Sequence, residues 1–285
     1  MKKRNKKSFA IFILTHGRPD KVITFDSLRK AGYTGKIVLV IDNEDATAER
    51  YRENFGADNV VMFDKAAVGE TFDLADTQKD RRVIVFARNA SFDIARQLGL
   101  DYFAQFDDDY NAFMYRHSEG EVLGYTPISS MDEVVTALLV LLEDTDAMSV
   151  AMSQGGDHIG GIDGVFRKGL LRKAMNSWFF RTDRPITFVG RINEDVNAYV
   201  GYGSRGQVFF TATKIQLTQA ATQKVAGGMS EVYAAVGTYM KSMYTVMMSP
   251  SCVKVSFMGQ SNPRMHHFIE QEHAYPKIIS DKYVK

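Results

Sequence analysis

Three consecutive carboxylates, Asp107, Asp108 and Asp109, follow an apolar run at 101–106 that is typical of a buried strand. Carboxylates at the end of a strand can converge on one point, where they repel each other unless a cation lies between them. Oxygen ligands of this kind suit Mg²⁺ or Mn²⁺, especially when a substrate diphosphate completes the coordination shell. We therefore predict a divalent metal site at this triplet, with a solvated acidic turn as the alternative.

A second acidic pair, Glu194 and Asp195, lies far from the first in sequence, among the basic residues Arg184, Arg191 and Arg205. This separation indicates a function different from the metal binding predicted for the triplet. A carboxylate within hydrogen-bonding distance of an acceptor hydroxyl can serve as a general base. We predict that role here, and a structural carboxylate paired with an arginine is the alternative.

Two adjacent histidines, His266 and His267, lie in a short run at 264–269 from which one imidazole can reach the same metal. Adjacent residues of a strand face opposite ways, so only one of the two can point inward. The sequence does not choose between them, and a surface or packed histidine is the alternative for each.

Polar residues also follow the predicted strands. Arg18, Arg88 and Asn89 are placed at strand-to-helix junctions, where cations and helix amino termini receive phosphate oxygens. Asp42 ends the second predicted strand, where a carboxylate can accept hydrogen bonds from a nucleobase or a ribose. A structural salt bridge is the alternative for the arginines, and helix capping is the alternative for Asp42.

The elements that position these residues alternate between strands and helices. In the first half of the chain we predict strands at 9–14, 36–41, 59–63, 101–106 and 147–152, and helices at 20–31, 46–55, 89–98 and 131–143. In the second half we predict strands at 178–180, 187–189, 208–213 and 252–258, and helices at 193–200 and 231–248. Residues 117–127 are predicted to be rich in turns. Alternation of this kind favours a mostly parallel, doubly wound sheet whose ligands lie beyond the carboxyl ends of the strands.

Composition excludes several classes of protein. The chain has 285 residues, 45% of them hydrophobic and 24% charged, as in ordinary globular proteins. Its longest apolar run, at 134–142, is far short of the roughly 18 residues that a membrane span needs. The single cysteine, Cys252, excludes an internal disulfide, an iron–sulfur cluster and a multi-cysteine zinc site. No secretory signal pattern is found, so we expect a cytoplasmic location, in the host cytoplasm if the chain is encoded by a phage.

Charge is distributed unevenly. Residues 1–7 carry five basic groups and no acidic one; residues 8–163 carry 14 basic and 27 acidic groups; residues 164–285 carry 16 basic and 7 acidic groups. A basic carboxy-terminal block favours a polyanionic partner, and a carboxylate-rich block suits a divalent cation. Two solvated faces without a partner are the alternative.

Together these residues resemble a GT-A glycosyltransferase, and more narrowly the phage-associated TET/JBP-associated glycosyltransferases. The likeness runs from about residue 9 to residue 267 and rests on the stretches LTHGRPDKV, GKIVLVIDNEDATA, FARNASFDIA, QFDDDY, AMSQGGDHIGG, FVGRINEDVN and SPSCVKVSFMG. It implies a GT-A-like, Rossmann-like, mostly parallel α/β sheet with helices on both faces and a mixed carboxy-terminal acceptor region. We expect one domain at 8–285 after a basic tail at 1–7, with a donor and metal half at 8–115 and an acceptor half at 116–285.

The resemblance also implies roles for particular residues. Asp195, with Glu194 beside it, takes the catalytic-base position, which presumes inversion at the anomeric carbon. Metal binding falls to Asp109 and Asp107, with His266 or His267. The residues implied in donor binding are Thr15, His16, Gly17, Arg18, Asp42, Asn43, Arg88, Asn89, Asp107 and Asp108.

The implied reaction moves a sugar from a nucleoside-diphosphate sugar, with UDP as the favoured carrier, to the hydroxyl of 5-hydroxymethylcytosine or a related hydroxymethylpyrimidine in DNA. A base in a duplex is hard to reach, so we expect a flipped or single-stranded target. A glycine-rich segment at 154–161 is too long for a simple turn and is predicted to help line the acceptor pocket. The candidates for acceptor binding are Gln154, Gly155, Gly156, Trp178, Arg191 and Arg205, with core packing as the alternative for the aromatic residue.

Other functions stay open at this point. The same donor half could serve a protein, lipid or small-molecule acceptor. A sugar nucleotidyltransferase shares the fold and an acidic metal site, but it usually has a more basic, glycine-rich loop after the first strand than the one at 15–19. A DNA-binding accessory protein without activity would need the basic block but not both acidic clusters.

Overall fold

The computed structural model describes residues 7–78, 81–158, 160–163, 176–219, 240–258, 263–276 and 281. Within these ranges the strands are β1 (Phe9–Leu14), β2 (Lys36–Asp42), β3 (Val60–Phe63), β4 (Tyr102–Asp107), β5 (Tyr110–Glu119), β6 (Val122–Pro127), β7 (Ser149–Gln154), β8 (Ser177–Arg181), β9 (Phe209–Gln219), β10 (Val253–Met258) and β11 (Arg264–Ile269). The α-helices are α1 (Ile23–Lys30), α2 (Ala48–Phe55), α3 (Lys65–Gly69), α4 (Val85–Gln97), α5 (Met131–Thr145), α6 (Glu194–Gly203) and α7 (Gln271–Ala274), and residues 240–248 are also helical. No helix among the described residues is long and apolar enough to cross a membrane.

Nine strands form one mixed sheet in the order β3-β2-β1-β4-β8-β7-β9-β5-β6. The first four strands in this order, β3, β2, β1 and β4, are parallel to one another. The next strand, β8, runs antiparallel to both β4 and β7. Within the sheet, Leu14 of β1 pairs with Val40 of β2 and with Asp107 of β4. The carboxyl ends of β1, β2 and β4 therefore lie side by side at one edge, which we call the site edge.

Helices cover both faces of the sheet, as predicted. One apolar cluster contains Phe12, Phe103 and Phe180 of the sheet, together with α4 and α6. The other contains Ile11 and Ile13 of the same strand β1, together with α1, α2 and α5. The alternation along β1 sends neighbouring side chains into opposite cores, so this strand is buried on both faces.

The structure corrects three of the predicted elements. Residues 187–189 do not form a strand, because both backbone polar groups of Phe188 bond to the side chain of Asn89 instead of a neighbouring strand. The region predicted to be rich in turns is the β5–β6 hairpin, which turns at Gly120 with a φ of 59°. Helix α4 begins at Val85 rather than at 89, so Arg88 and Asn89 lie inside it and not at a junction.

Two predictions reach beyond the described residues. The predicted helix at 231–248 is helical over 240–248, and residues 231–239 lie outside the described ranges. Residues 1–6 of the basic tail also lie outside them.

Candidate functional site

The acidic triplet at the end of β4 is held in place by the amino terminus of α1. The amide of Thr24 donates to the carbonyl oxygen of Asp108 at 3.2 Å, and its hydroxyl donates to the carbonyl oxygen of Asp107 at 2.6 Å. The amide of Tyr110 in turn donates to the Thr24 hydroxyl at 2.8 Å. An otherwise unsatisfied amide in the first turn of a helix thus fixes the turn that carries the three carboxylates.

Asp108 joins the triplet to the loop after β1. Its side chain is buried, with one oxygen accepting a hydrogen bond from Thr15 Oγ1 at 2.7 Å and the other 3.0 Å from Arg18 Nη2. Burial raises the pKa of Asp108 to about 6, against the opposing effect of Arg18. Tyr51 completes this arrangement, because its hydroxyl contacts Thr15 Oγ1 at 2.9 Å and accepts from the Arg18 amide at 2.8 Å. Asp108 therefore orders the loop, and both of its oxygens already have partners.

Arg88 connects Asp107 with the second acidic pair. Its Nη2 lies 3.1 Å from Asp107 and its Nε lies 2.9 Å from Glu194, although the two carboxylates are 87 residues apart in sequence. Burial raises the pKa of Asp107 to about 7, with Arg88 opposing, and burial also raises the pKa of Glu194. Burial lowers the pKa of Arg88 less than its two carboxylate partners raise it, so Arg88 stays charged. Its buried Nη1 has no hydrogen-bond partner among the described residues, which leaves donor capacity within the site.

The carboxylate oxygens of the triplet suit a divalent cation that also binds oxygens of a ligand. Burial raises the pKa of Asp109 as well, so three adjacent carboxylates all resist carrying their charge in the absence of a cation. No group of three or more His, Cys, Asp or Glu side chains within the described ranges is arranged to hold a metal unaided. Asp107 and Asp109 are then the two hard-oxygen ligands that fit, and the remaining ligands would come from substrate oxygens.

Asp195 lies beside Glu194 at the start of α6 and is also buried. Its Oδ1 accepts from the amide of Val196 at 2.8 Å. Asn193, just before the pair, adopts a left-handed conformation with a φ of 58°. Its Nδ2 donates to the Lys241 carbonyl oxygen at 2.9 Å and lies 3.4 Å from Nδ1 of His267. Helix 240–248 and strand β11 thus both support the turn that carries the acidic pair.

The two histidines differ as the strand geometry requires. His267 is buried against Asn193, next to the acidic pair, whereas His266 is half-buried and bonds through Nδ1 to the carbonyl oxygen of His267 at 2.7 Å. His267 is therefore the histidine that packs against the turn carrying the acidic pair. Metal ligation by either residue stays a prediction.

At the end of β2, Asp42 faces inward. Its Oδ2 lies 2.8 Å from His16 Nδ1 and 3.2 Å from Lys65 Nζ, and its Oδ1 accepts from the Glu44 amide at 3.1 Å. These contacts hold the pKa of Asp42 below its usual range, because the His16 and Lys65 contacts outweigh the opposing effect of burial. Next to it, the amide of Gly17 donates to Asp45 Oδ2 at 2.7 Å. Asn43 Oδ1 accepts from the backbone amide of Lys65 at 3.0 Å.

Three of the predicted ligand-binding residues have structural roles instead. Asn89 uses both ends of its side-chain amide on the backbone of Phe188, at 2.9 and 2.8 Å. Arg191 is 1% exposed and forms a two-bond ion pair with Asp76 at 2.7 and 2.9 Å, so it cannot contact DNA phosphates. Trp178 is fully buried and stacks on Phe180, with the ring centroids 5.7 Å apart. It is therefore a core residue, and its assignment to the acceptor pocket is wrong.

The other acceptor candidates lie at or near the surface. Gln154 ends β7 at the site edge, and its amide donates to Asp157 Oδ2 at 2.8 Å. Gly155 and Gly156 follow it as the two exposed residues of a single turn of 3₁₀-helix. Arg205 is exposed just after α6. Binding of an acceptor by these residues stays a prediction.

Several contributors are not marked by any local pattern. Lys65 follows β3 at the same edge of the sheet as Asp42, and its position after a predicted strand is the one signal that could have indicated it. Tyr51 lies in the middle of α2 and Asp76 lies in the loop before α4, and neither has a neighbouring motif. The sequence places Glu194 among nearby arginines, whereas its partner in the structure, Arg88, lies 106 residues away.

Comparisons with known proteins identify the family and the fold of the chain. The sequence model of the TET-associated glycosyltransferase family matches residues 9–228. Two solved structures of glucosyl-3-phosphoglycerate synthase from Mycobacterium tuberculosis, one with Mn²⁺, UDP and phosphoglyceric acid and one with Mn²⁺ and UDP-glucose, are each 10% identical to this chain. Each alignment covers 92% of this chain and 87% of the other, with a TM-score of 0.50. At this identity the likeness establishes the fold, and the predicted GT-A-type α/β architecture is confirmed. A search of curated proteins finds no match.

Proposed function

The chain belongs to the TET-associated glycosyltransferase family, and we propose that it moves a sugar from a nucleoside-diphosphate sugar to the hydroxyl of 5-hydroxymethylcytosine or a related hydroxymethylpyrimidine in DNA. The observation that supports a nucleotide-sugar donor is the network at the site edge in which Arg88 joins Asp107 to Glu194. A nucleotide-sugar site needs carboxylates for a cation, cations for a diphosphate and a carboxylate for the acceptor. This network supplies the first two, and Asp195, next to Glu194, is the carboxylate for the acceptor.

Asp107 and Asp109 are the residues that would hold Mn²⁺ or Mg²⁺. When bound, the cation would neutralise the negative charge that develops on the departing diphosphate. UDP is the favoured carrier, because the glucosyl-3-phosphoglycerate synthase structures of the same fold contain Mn²⁺ with UDP or UDP-glucose. Arg18, with its side chain 29% exposed, and the Nη1 group of Arg88 add positive charge at the same place. Preorganised charges of this kind stabilise the transition state more than the ground state.

The two residues of the acidic pair have different partners. Glu194 is bound to Arg88, whereas Asp195 uses one oxygen on the amide of Val196. We assign the base to Asp195. In an inverting reaction, the acceptor hydroxyl oxygen forms a bond to the anomeric carbon as the bond from that carbon to the diphosphate oxygen breaks. The hydroxyl proton passes to the free carboxylate oxygen of Asp195.

The DNA acceptor is supported by the family and by charge. The family is named for its association with TET, and the resemblance of the sequence implies an oxidised pyrimidine as the target. Residues 164–285 carry 16 basic and 7 acidic groups, which favours contact with a phosphate backbone. Exposed Arg205 and the turn that follows Gln154 are the described residues we propose for this contact.

The proposed use of a nucleotide-sugar donor can be tested by measuring the release of nucleoside diphosphate. Wild-type protein is incubated with Mn²⁺, a panel of nucleotide sugars and DNA that contains 5-hydroxymethylcytosine. We expect release from one donor, loss of that release on chelation of the metal, and loss in D109N. The matched control is D93N, which removes an exposed carboxylate from α4. Release by D109N at the wild-type rate would overturn the metal assignment, and no release from any donor would overturn the proposed function.

A further inference from the structure

Strands β10 and β11 form a separate two-stranded antiparallel sheet, which we call the ribbon. Side chains alternate between the two faces of a strand, so one face of the ribbon carries three cross-strand pairs, namely Val253 with Ile269, Val255 with His267, and Phe257 with Met265. Val253 and His267 on this face are buried, whereas Phe257 is 73% exposed. The face therefore begins inside the protein and ends in solvent.

Phe257 is the most exposed large hydrophobic side chain in the described part of the chain. The opposite face of the ribbon also has an exposed phenylalanine, Phe268, but the ammonium nitrogen of Lys254 lies 5.5 Å from the centroid of its ring. Lys254 is in turn paired with Glu270. The ring of Phe268 thus already has a partner within the protein, while the exposed ring of Phe257 offers a π-face to a ligand.

The ribbon lies next to the acidic pair. Nδ1 of His267 is 3.4 Å from Nδ2 of Asn193, the residue directly before that pair. Phe257 lies two residues beyond the position opposite His267, which places it about 7 Å farther along the same face at a rise of about 3.4 Å per residue. The exposed ring therefore lies close to the turn that carries the proposed base, Asp195.

The contacts of the acidic pair separate this ring from the donor. Arg88 joins Glu194 to Asp107, so this residue of the pair is tied to the groups proposed for the metal and the diphosphate. The ribbon instead contacts Asn193, on the turn before the pair. A reactant that reaches Asp195 along the ribbon is then the acceptor rather than the donor.

The chemistry of the ribbon favours a nucleobase with its phosphate backbone. Its two strands, at 253–258 and 264–269, contain Lys254 and Arg264 but no Asp or Glu, so they do not repel an anionic chain. Aromatic side chains bind bases by stacking, which any base can do because each has a π-face. Stacking requires a base whose face is free, and the flipped or single-stranded target expected for this enzyme provides one.

We propose that Phe257 stacks on the target pyrimidine of the acceptor and thereby places its hydroxymethyl group at Asp195. This inference rests on the proposed function, because it takes a hydroxymethylpyrimidine in DNA as the acceptor. It adds a residue of the ribbon to the acceptor contacts proposed above.

Binding of single-stranded DNA tests the contact. Two oligonucleotides are compared by fluorescence anisotropy in the presence of Mn²⁺ and UDP, one with a single 5-hydroxymethylcytosine and one with an abasic site in its place. The variants are F257L, which keeps an apolar side chain but removes the π-face, and F257W, which keeps that face. The matched control is F268L, which makes the same change on the opposite face of the ribbon.

We expect wild type, F257W and F268L to bind the oligonucleotide with 5-hydroxymethylcytosine about tenfold more tightly than the abasic one, as for one stacked base. F257L should bind both almost equally, because the base matters only if the aromatic ring is present. Discrimination by F257L at the wild-type level, or its loss in F268L as well, would overturn the inference.

Steady-state kinetics separate the acceptor from the donor. F257L should raise the KM for DNA about tenfold and leave the KM for the nucleotide sugar unchanged. A rise in the KM for the nucleotide sugar alone would assign the ring to the donor and overturn the inference. If wild type transfers no sugar to DNA, the proposed function fails and the inference fails with it; normal transfer with unchanged kinetics in F257L contradicts the inference alone.

Gel filtration tests the other occupant of this face, a second copy of the chain. Wild type and F257L should elute at the same volume. A wild-type dimer that F257L dissociates, with discrimination between the two oligonucleotides unchanged, would show that Phe257 lies in an interface between copies and would overturn the inference.

Discussion

Replacing Arg88 with Met should destabilise the protein strongly, and the loss should depend on pH. The Arg88 side chain is 1% exposed and pairs with Glu194, 7% exposed, and Asp107, 22% exposed. Removing one partner of a buried ion pair typically costs about 3–5 kcal/mol, because a buried charge is left uncompensated. Asp107 is partly solvated and adds less, so we expect a loss of about 3–4 kcal/mol in the free energy of unfolding at pH 8.

The pH dependence follows from the carboxyl groups that remain. Their folded-state pKa values are already raised by burial, to about 7 for Asp107, and loss of Arg88 raises them further. A group whose pKa is higher in the folded state stabilises that state at low pH, and the effect disappears as pH rises through the folded-state pKa. The destabilisation should therefore be smaller at pH 5 than at pH 8.

Urea unfolding followed by circular dichroism measures both effects. The control is R96M on the same helix, where Arg96 pairs with Asp93 and both side chains are more than half exposed. We expect the control to cost less than about 1 kcal/mol. A cost below about 1 kcal/mol for R88M, or an equal cost at the two pH values, would refute the reasoning about the buried network.

Three further predictions concern catalysis, backbone geometry and acid stability. D195N should lower the transfer rate by about 10²–10⁴ with little change in donor affinity, and steady-state kinetics in which D195N transfers sugar at the wild-type rate would refute its role as the base. G32A should cost about 2–5 kcal/mol in a thermal melt, because Gly32 has a φ of 84° and an added Cβ would lie 2.3 Å from a backbone carbonyl oxygen. G99A, with a φ of 63° and no described atom within 4 Å of the added Cβ, should cost only about 1–2 kcal/mol. Burial and Arg116 lower the pKa of His158 to about 4. The folded state therefore loses stability as pH falls from about 6.5, the ordinary pKa of histidine, through 4. H158N lacks this group and should lose less stability than wild type over that pH range.

The site edge could be predicted because it depends on local patterns. The apolar runs of β1, β2 and β4 each end in polar residues, and parallel strands bring such ends together. Thr15, Asp42 and Asp107 accordingly lie on neighbouring strands, as the alternation of elements indicates.

The contacts between distant segments could not be predicted in this way. Arg88 and Arg191 are both arginines in polar surroundings in the sequence, yet one is held by Asp107 and Glu194 and the other by Asp76. Periodicity marks Trp178 as a strand residue, but both faces of β8 are buried, so no pattern could separate a core aromatic from a binding one. The inward direction of Asp42 depends on Lys65, whose burial is a tertiary effect.

The most direct test of the account is the mass of the nucleosides from treated DNA. DNA that contains 5-hydroxymethylcytosine is incubated with the protein, Mn²⁺ and nucleotide sugars, then digested and analysed by mass spectrometry beside DNA that contains 5-methylcytosine. The account predicts a gain of one sugar mass on 5-hydroxymethylcytosine alone, since 5-methylcytosine lacks the accepting hydroxyl. Release of nucleoside diphosphate without any mass gain in the DNA would contradict the proposed acceptor.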